Sequence, residues 1–146
     1  MRVNKRVIFI IFLTVAISTG LLIRLFPSEQ LLKEKSIKSI EYANNFSWDS
    51  YTGNEGAVFF SQDAQKKFFG KSVDIEYIQK VKEKSEGYIE SFVAVNPSFV
   101  NPVTKFISYR KIEDINGTIE FRTLITYKFK LENFNWVIDE VEFERM

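Results

Sequence analysis

Hydrophobic and polar positions follow three different rhythms along the chain. From Val7 to Ile23 (VIFIIFLTVAISTGLLI) 17 consecutive residues carry no charge and are apolar all round, not on one face. Arg24 interrupts, and Leu25-Phe26 add two more apolar residues before Pro27. From Ser28, a reasonable N-cap with Glu29 in the first turn, to about Asp49 the rhythm is helical. Ile37, Ile40, Ala43 and Phe46 form the apolar stripe, and Lys33, Glu34, Lys35, Lys38 and Glu41 the wet face. Thr52 to Gly56 reads as a loop. A short second helix is predicted over Ser61–Phe69, capped by Ser61, with Phe60, Ala64 and Phe68 at i, i+4, i+8 and Gly70 at its end. A third is predicted from Ser72 to about Ser85, closed by Gly87, with Asp74 and Glu76 at its start and Lys80, Lys82 and Lys84 near its end. Ile75, Ile78 and Val81 make its inner face.

The period then changes to two. Strands are predicted at Tyr88–Val95, Val103–Ile112, Thr118–Lys130 and about Trp136–Glu144. The third alternates most cleanly: Ile119, Phe121, Thr123, Ile125, Tyr127 and Phe129 face one way, and Glu120, Arg122, Thr126, Lys128 and Lys130 the other. Asn116-Gly117 is the expected two-residue type I′ turn, which would set Ile112 opposite Phe121 and Phe106 opposite Tyr127. Val137, Val141 and Phe143 of the last strand are matched to the odd face of the third. Three helices followed by an antiparallel meander make an α+β domain. Its helices must cover one face of a curved four-stranded sheet, the cone-shaped plan of nuclear-transport-factor-like (NTF2-like) domains. The expected division is residues 1–26, a cytoplasmic N-terminus and anchor, and residues 27–146, the exported domain.

At about 1.5 Å per residue, Val7–Phe26 reaches roughly 30 Å, enough to cross a bilayer with Arg24 snorkelling to the interface. Lys5 and Arg6 keep the N-terminus cytoplasmic, so the domain is expected outside. The rival is a cleaved signal peptide cut at Ala16-Ile17-Ser18, although the apolar run continues well past that site. Charge changes the picture once the N-terminus is set aside. Arg2, Lys5, Arg6 and Arg24 leave 16 of the 20 basic residues to face 19 acidic ones, a net of −3. A nucleic-acid grip needs a basic excess, which this part lacks. Without His or Cys, the thiol, Ser-His and His-ligated metal chemistries drop out, and neither a cofactor nor a metal is expected.

Candidate chemistry is sparse. Phe60 and Phe68 are assigned to the core, while Phe59 and Phe69 stand open between partial burial and an aromatic partner surface. Glu140, Glu142 and Glu144 alternate on the last strand and are placed on one face with Trp136 and Ile138. They form either an acidic docking edge or a solvated face that discourages edge-to-edge aggregation. Asp63, Asp74 and Glu76 are read as helix N-terminal charges in preference to a cavity base. Lys66, Lys67, Lys80, Lys82 and Lys84 are read as wet helix faces and not as headgroup contacts.

The run Phe59-Phe60-Ser61-Gln62-Asp63-Ala64-Gln65-Lys66-Lys67-Phe68 resembles the aromatic-Phe-Thr-x-Asp-Gly-x-x-x-Phe stretch of the DotI/IcmL family of inner-membrane type IV secretion and conjugation subunits. Ser61 stands where the family has the capping Thr. The segment from Glu41 to Trp48 and the hairpin at Gly117 resemble the same family, over about Ile37–Met146. That resemblance implies a non-enzymatic, single-pass bacterial inner-membrane protein, anchored through residues 7–26 and exposing its domain to the periplasm. Its partners would be copies of itself and other secretion-system envelope proteins. The alternatives are a membrane-anchored small-molecule binder or enzyme using the cone cavity, and an envelope- or host-facing effector that shares the fold.

Overall fold

The computed structural model describes residues 5–47, 54–69 and 84–146. Helix α1 runs Lys5–Leu25, and its described side chains are exposed except for the partly covered Leu25. It is long and apolar enough to cross a bilayer, at about 32 Å by helical rise. Pro27 is buried where the chain turns into α2, Glu29–Asn44. Ser28 caps α2, its Oγ accepting from Leu31 N at 3.1 Å. Two i,i+4 pairs, Glu29–Lys33 and Glu34–Lys38, both at 2.5 Å, lie on its wet side.

The buried face of α2 differs from the predicted stripe. Leu32, Ser36, Ser39, Ile40 and Asn44 are buried, whereas Ile37 is 37% exposed. The serines are hidden because the sheet supplies partners. Ser36 Oγ donates to Leu32 O and shares a hydrogen bond with Thr104 Oγ1 at 2.8 Å, and Ser39 Oγ does so with Tyr127 OH at 3.0 Å. Small, satisfied residues let the helix backbone sit close to the sheet, where larger aliphatics would hold it off.

Helix α2 ends sooner than expected. Asn45 N donates to Glu41 O, and Phe46–Ser47 form a two-residue strand, β1, beside Ser85 and Lys84. After a 3-10 turn at Ala57–Phe59, helix α3 spans Gln62–Phe68. The loop at Thr52-Gly53 and the predicted third exported helix, including Asp74 and Glu76, lie outside the described residues. Lys84, Ser85 and Gly87, predicted to end that helix, instead open strand β2, Lys84–Asn96. Gly87 is required by packing: a Cβ there would meet Asn44 Cβ at 2.8 Å and Tyr109 O at 3.0 Å.

Strands β3 (Val103–Asp114), β4 (Gly117–Glu132) and β5 (Asn135–Arg145) complete an antiparallel sheet ordered β1-β2-β3-β4-β5. The β3–β4 turn is centred on Ile115-Asn116 in place of Asn116-Gly117. Ile112 therefore faces Ile119 and Phe106 faces Ile125, two residues away from the expected register. A shift of two keeps each side chain on its face, so the hydrophobic pattern is satisfied by either register.

Bulges re-aim two strands. Register shifts in β2 between Ile89 and Ser91 and between Phe92 and Ala94 bring Ile89, Phe92 and Val95 to one face at three-residue spacing. A shift at Lys128/Phe129 makes Asp139 the extra residue of β5. Ile138 then pairs with Phe129 and Trp136 with Leu131 on the inner face, while Glu140 and Glu142 pair with Lys128 and Thr126 on the outer. The expected common face for Trp136, Ile138 and the glutamates is thus split, and Val137, opposite Lys130, leaves the set that includes Val141 and Phe143.

The core joins Leu32 and Ile40 of α2 to Phe60, Ala64, Phe106, Ile125, Tyr127, Phe129, Trp136 and Ile138. Its centre is aromatic. Phe106 packs edge-on to Tyr127 at 5.0 Å and to Phe92 at 5.7 Å. Phe68, predicted for the core, is 37% exposed. The helix stops there, and the extended Phe69 turns back to meet the Phe60 ring at 5.0 Å.

Candidate functional site

Three places concentrate chemistry: a cavity at one end of the cone, the joint between α3 and the β5 bulge, and the outer face of the sheet. The cavity lies between the end of α2, α3 and the inner face of the sheet, with a volume of about 360 Å³. Ser39, Ile40, Phe60 and Tyr127 form its deep side. Phe68, Phe121 and Phe143 stand at its mouth, Phe143 being 64% exposed. It lies toward the β3–β4 turn, because the end of α2 packs there beside Gly87 and its paired Arg110.

Among the described residues, those lining the cavity include no carboxylate, and the chain has no His or Cys. Burial pushes the Tyr127 phenol up to about 12, partly offset by its bond to Ser39, so it stays neutral near pH 7. Such a phenol can hold a hydrogen bond but is no base at neutral pH. Arg110 Nε donates to Ser85 Oγ at 2.9 Å. Among the described residues no group of His, Cys, Asp or Glu is arranged to hold a metal.

At the α3 joint one hydroxyl ties helix to sheet. Ser61 Oγ accepts from Ala64 N at 3.1 Å and donates to Asp139 Oδ1 at 2.6 Å, while Ser61 N donates to Ile138 O at 2.8 Å. Lys130 Nζ reaches Asp139 at 2.9 Å and Asp63 at 3.6 Å. Burial raises the Asp139 carboxyl, but the bonds from Ser61 and Lys130 and the Lys130 charge outweigh it and hold it below its ordinary value. Asp63 itself is exposed, near Lys66 at 3.9 Å, as a helix N-terminal charge should be.

The residues singled out as a possible interaction surface do not come together. Phe59 is half-buried against the core with its ring 5.5 Å from Tyr42, and Phe69 is half-buried on the cavity wall. Glu140 and Glu142 lie on the opposite face, clamping Lys128 Nζ at 2.8 and 2.7 Å. Hydrogen bonds to both glutamates raise the Lys128 pKa, and the reciprocal bond lowers that of Glu142. Glu144 is exposed opposite Leu124. The outer face continues with Arg122 bound to Glu90 at 2.8 Å and lying over the Tyr109 ring at 5.6 Å. The cavity rim of Phe121 and Phe143 has no signal of its own in the sequence. The sequence rhythm puts both on a buried face, and alternation alone does not reveal that Phe143 is 64% exposed.

No family model matches this chain, and no curated protein does. In fold it is similar to the crystal structure of an IcmL-like type IV secretion system protein from Legionella pneumophila, at TM-score 0.62 and 13% identity. The match covers 83% of this chain and 95% of that one. The α+β fold expected from the order of helices and strands is found, with an apolar N-terminal helix ahead of helices packed on an antiparallel sheet.

Proposed function

We propose that the protein is an assembly subunit of a type IV secretion or conjugation complex, held in the bacterial inner membrane by residues 7–26 and acting through protein contacts. Residues 27–146 form the exported, periplasmic domain, and the partners are copies of the chain and other envelope proteins. The observation that carries this reading is the apolar rim at the far end of the cone. Phe143 and Phe68 are 64% and 37% exposed there beside half-buried Phe121, and Ile119, two residues from Phe121 along β4, is 60% exposed. Exposed apolar side chains gathered at one end of a domain are a mark of an interaction site. Likeness in fold to a type IV secretion system protein supports the kind of complex.

An enzyme is disfavoured by the chemistry of the cavity, whose described lining offers a neutral phenol, hydroxyls, the Asn44 amide and the Arg110 guanidinium but no carboxylate, imidazole or thiol. The second reading, a small-molecule binder, draws on the cavity volume of about 360 Å³, within the usual range for ligand pockets. The two readings separate on one variant. Full-length chain extracted from its native membrane in mild detergent should co-purify with envelope subunits, and Phe143→Asp should abolish this without lowering the unfolding temperature. A monomer with no companion, stabilised instead by an apolar ligand, would overturn the assembly reading.

A further inference from the structure

The end of the domain opposite the cavity carries an unexplained set of exposed apolar tips. The β2–β3 turn holds Phe99 and Val100, and the β4–β5 turn holds Phe134. An antiparallel meander places these two turns at the same end of the sheet. Val100 and Phe134 are each 81% exposed and Phe99 49%. Neither turn contains a charged residue: residues 97–102 read Pro-Ser-Phe-Val-Asn-Pro, and the other turn is Asn133-Phe134.

Phe134 is also held in a costly backbone conformation. Asn133 and Phe134 have φ of 50° and 59°, the left-handed pair of a type I′ turn, whose second position favours glycine. A bulky residue there is disfavoured by roughly 1–2 kcal/mol. Its ring, almost fully exposed, gains little from the rest of the chain in return. A residue that is both strained and apolar, and points outward, needs a partner outside the domain.

Continuity with α1 says which partner. Trp136 Nε1 donates to Leu25 O, the last residue of α1, at 3.2 Å. Phe26 meets Phe99 at 5.3 Å, and Phe99 meets Trp136 edge-on at 5.9 Å. The two turns therefore sit where the apolar helix ends, at the depth where a bilayer would meet water. Aromatic side chains prefer that zone, and uncharged tips enter it without desolvating an ion.

We infer that Phe99, Val100 and Phe134 insert into the bilayer interface around the exit of α1, so that the domain stands on the membrane in one orientation with its cavity end pointing away. The inference rests on the reading of residues 7–26 as a membrane anchor. Three apolar points around one helix exit remove the swivel that a single covalent joint would leave.

The chain has no cysteine, so single-cysteine nitroxide labels are direct reporters. The full chain carrying Phe12→Cys, Val100→Cys, Phe134→Cys or Ile115→Cys is reconstituted at one chain per phosphatidylethanolamine/phosphatidylglycerol nanodisc. Collision of each label with oxygen, which partitions into lipid, is compared with collision with a water-soluble nickel chelate. Ile115, 74% exposed at the opposite end of the sheet and roughly 40 Å away along β3, is the aqueous reference. Expected are oxygen-favoured ratios at Phe12, Val100 and Phe134, several-fold above that at Ile115. Nickel-favoured ratios at Val100 and Phe134, with Phe12 still in lipid, would overturn the inference and leave the anchor standing. A nickel-favoured Phe12 would remove the anchor and the inference together. Shielding of the two tips from both reagents would mean that they pack on protein, which also overturns it.

Discussion

Ser61→Ala removes one oxygen atom and should be the most informative single change in the α3 joint. The Ser61 hydroxyl is fully buried and makes two bonds, capping α3 at Ala64 N and donating to the Asp139 carboxylate. Loss of a serine cap costs about 1 kcal/mol. Loss of a hydrogen bond to a charged group costs about 1.5–3 kcal/mol, toward the lower end here because Lys130 still serves the carboxylate. Together about 2–3 kcal/mol is expected, which for a domain of this size lowers the unfolding temperature by roughly 8–12 °C. Urea and thermal unfolding of the full chain in mild detergent, followed by near-ultraviolet circular dichroism, reads this directly. Ser61→Thr keeps the hydroxyl and should restore most of the loss. Because the folded Asp139 carboxyl is held below its ordinary value of 3.8, its contribution is complete above that value. It disappears as the pH falls through the lower, folded value. The cost of Asp139→Asn should therefore shrink in acid below pH 4 and stay constant above pH 5. A Ser61→Ala variant within 0.5 kcal/mol of the parent would refute the reasoning, since exposed and unneeded caps behave that way.

Gly87→Ala should destabilise the domain by about 1–3 kcal/mol in urea unfolding, because the new methyl group must displace Asn44 or the β3 backbone. Tyr127→Phe should cost about 1 kcal/mol, and a double-mutant cycle with Ser39→Ala should recover most of it as coupling. Lys128→Ala, by contrast, should change stability by no more than about 1 kcal/mol, since both of its glutamate partners are exposed. Mass spectrometry of the membrane-extracted protein should find residues 7–26 still joined to the domain, whereas an N-terminus created by cleavage after Ser18 would identify α1 as a signal peptide.

Much of the fold is legible from side-chain rhythm, and what is not has local causes. The alternation of Ile125, Tyr127 and Phe129 identifies their face because it depends only on parity. Parity is also why the β3–β4 register is missed by two residues: Ile115-Asn116 and Asn116-Gly117 turns satisfy the same pattern. The β5 bulge breaks parity itself, so Trp136 and Ile138 go inward although the rhythm sets them with Glu140 and Glu142. No periodicity marks Asp139 as the extra residue, because its reason is tertiary, the bond to Ser61 and the pairing with Lys130. The serine face of α2 is hidden for a similar cause: Ser36 and Ser39 read as polar until Thr104 and Tyr127 are placed across from them. The cavity rim is less legible still, since Ile119, Phe121 and Phe143 follow the buried pattern, yet Ile119 and Phe143 are 60% and 64% exposed.

The assembly reading stands or falls on what touches the far end of the cone in the native membrane. A photo-crosslinking amino acid at Phe143, at Ile119 and, as a reference on the outer face, at Glu120 provides the most direct measurement. Crosslinks from Phe143 and Ile119 to envelope subunits or to a second copy, absent from Glu120, are the expected result. Illumination that captures neither a partner nor a second copy from the rim, in cells where the complex is assembled, would contradict it.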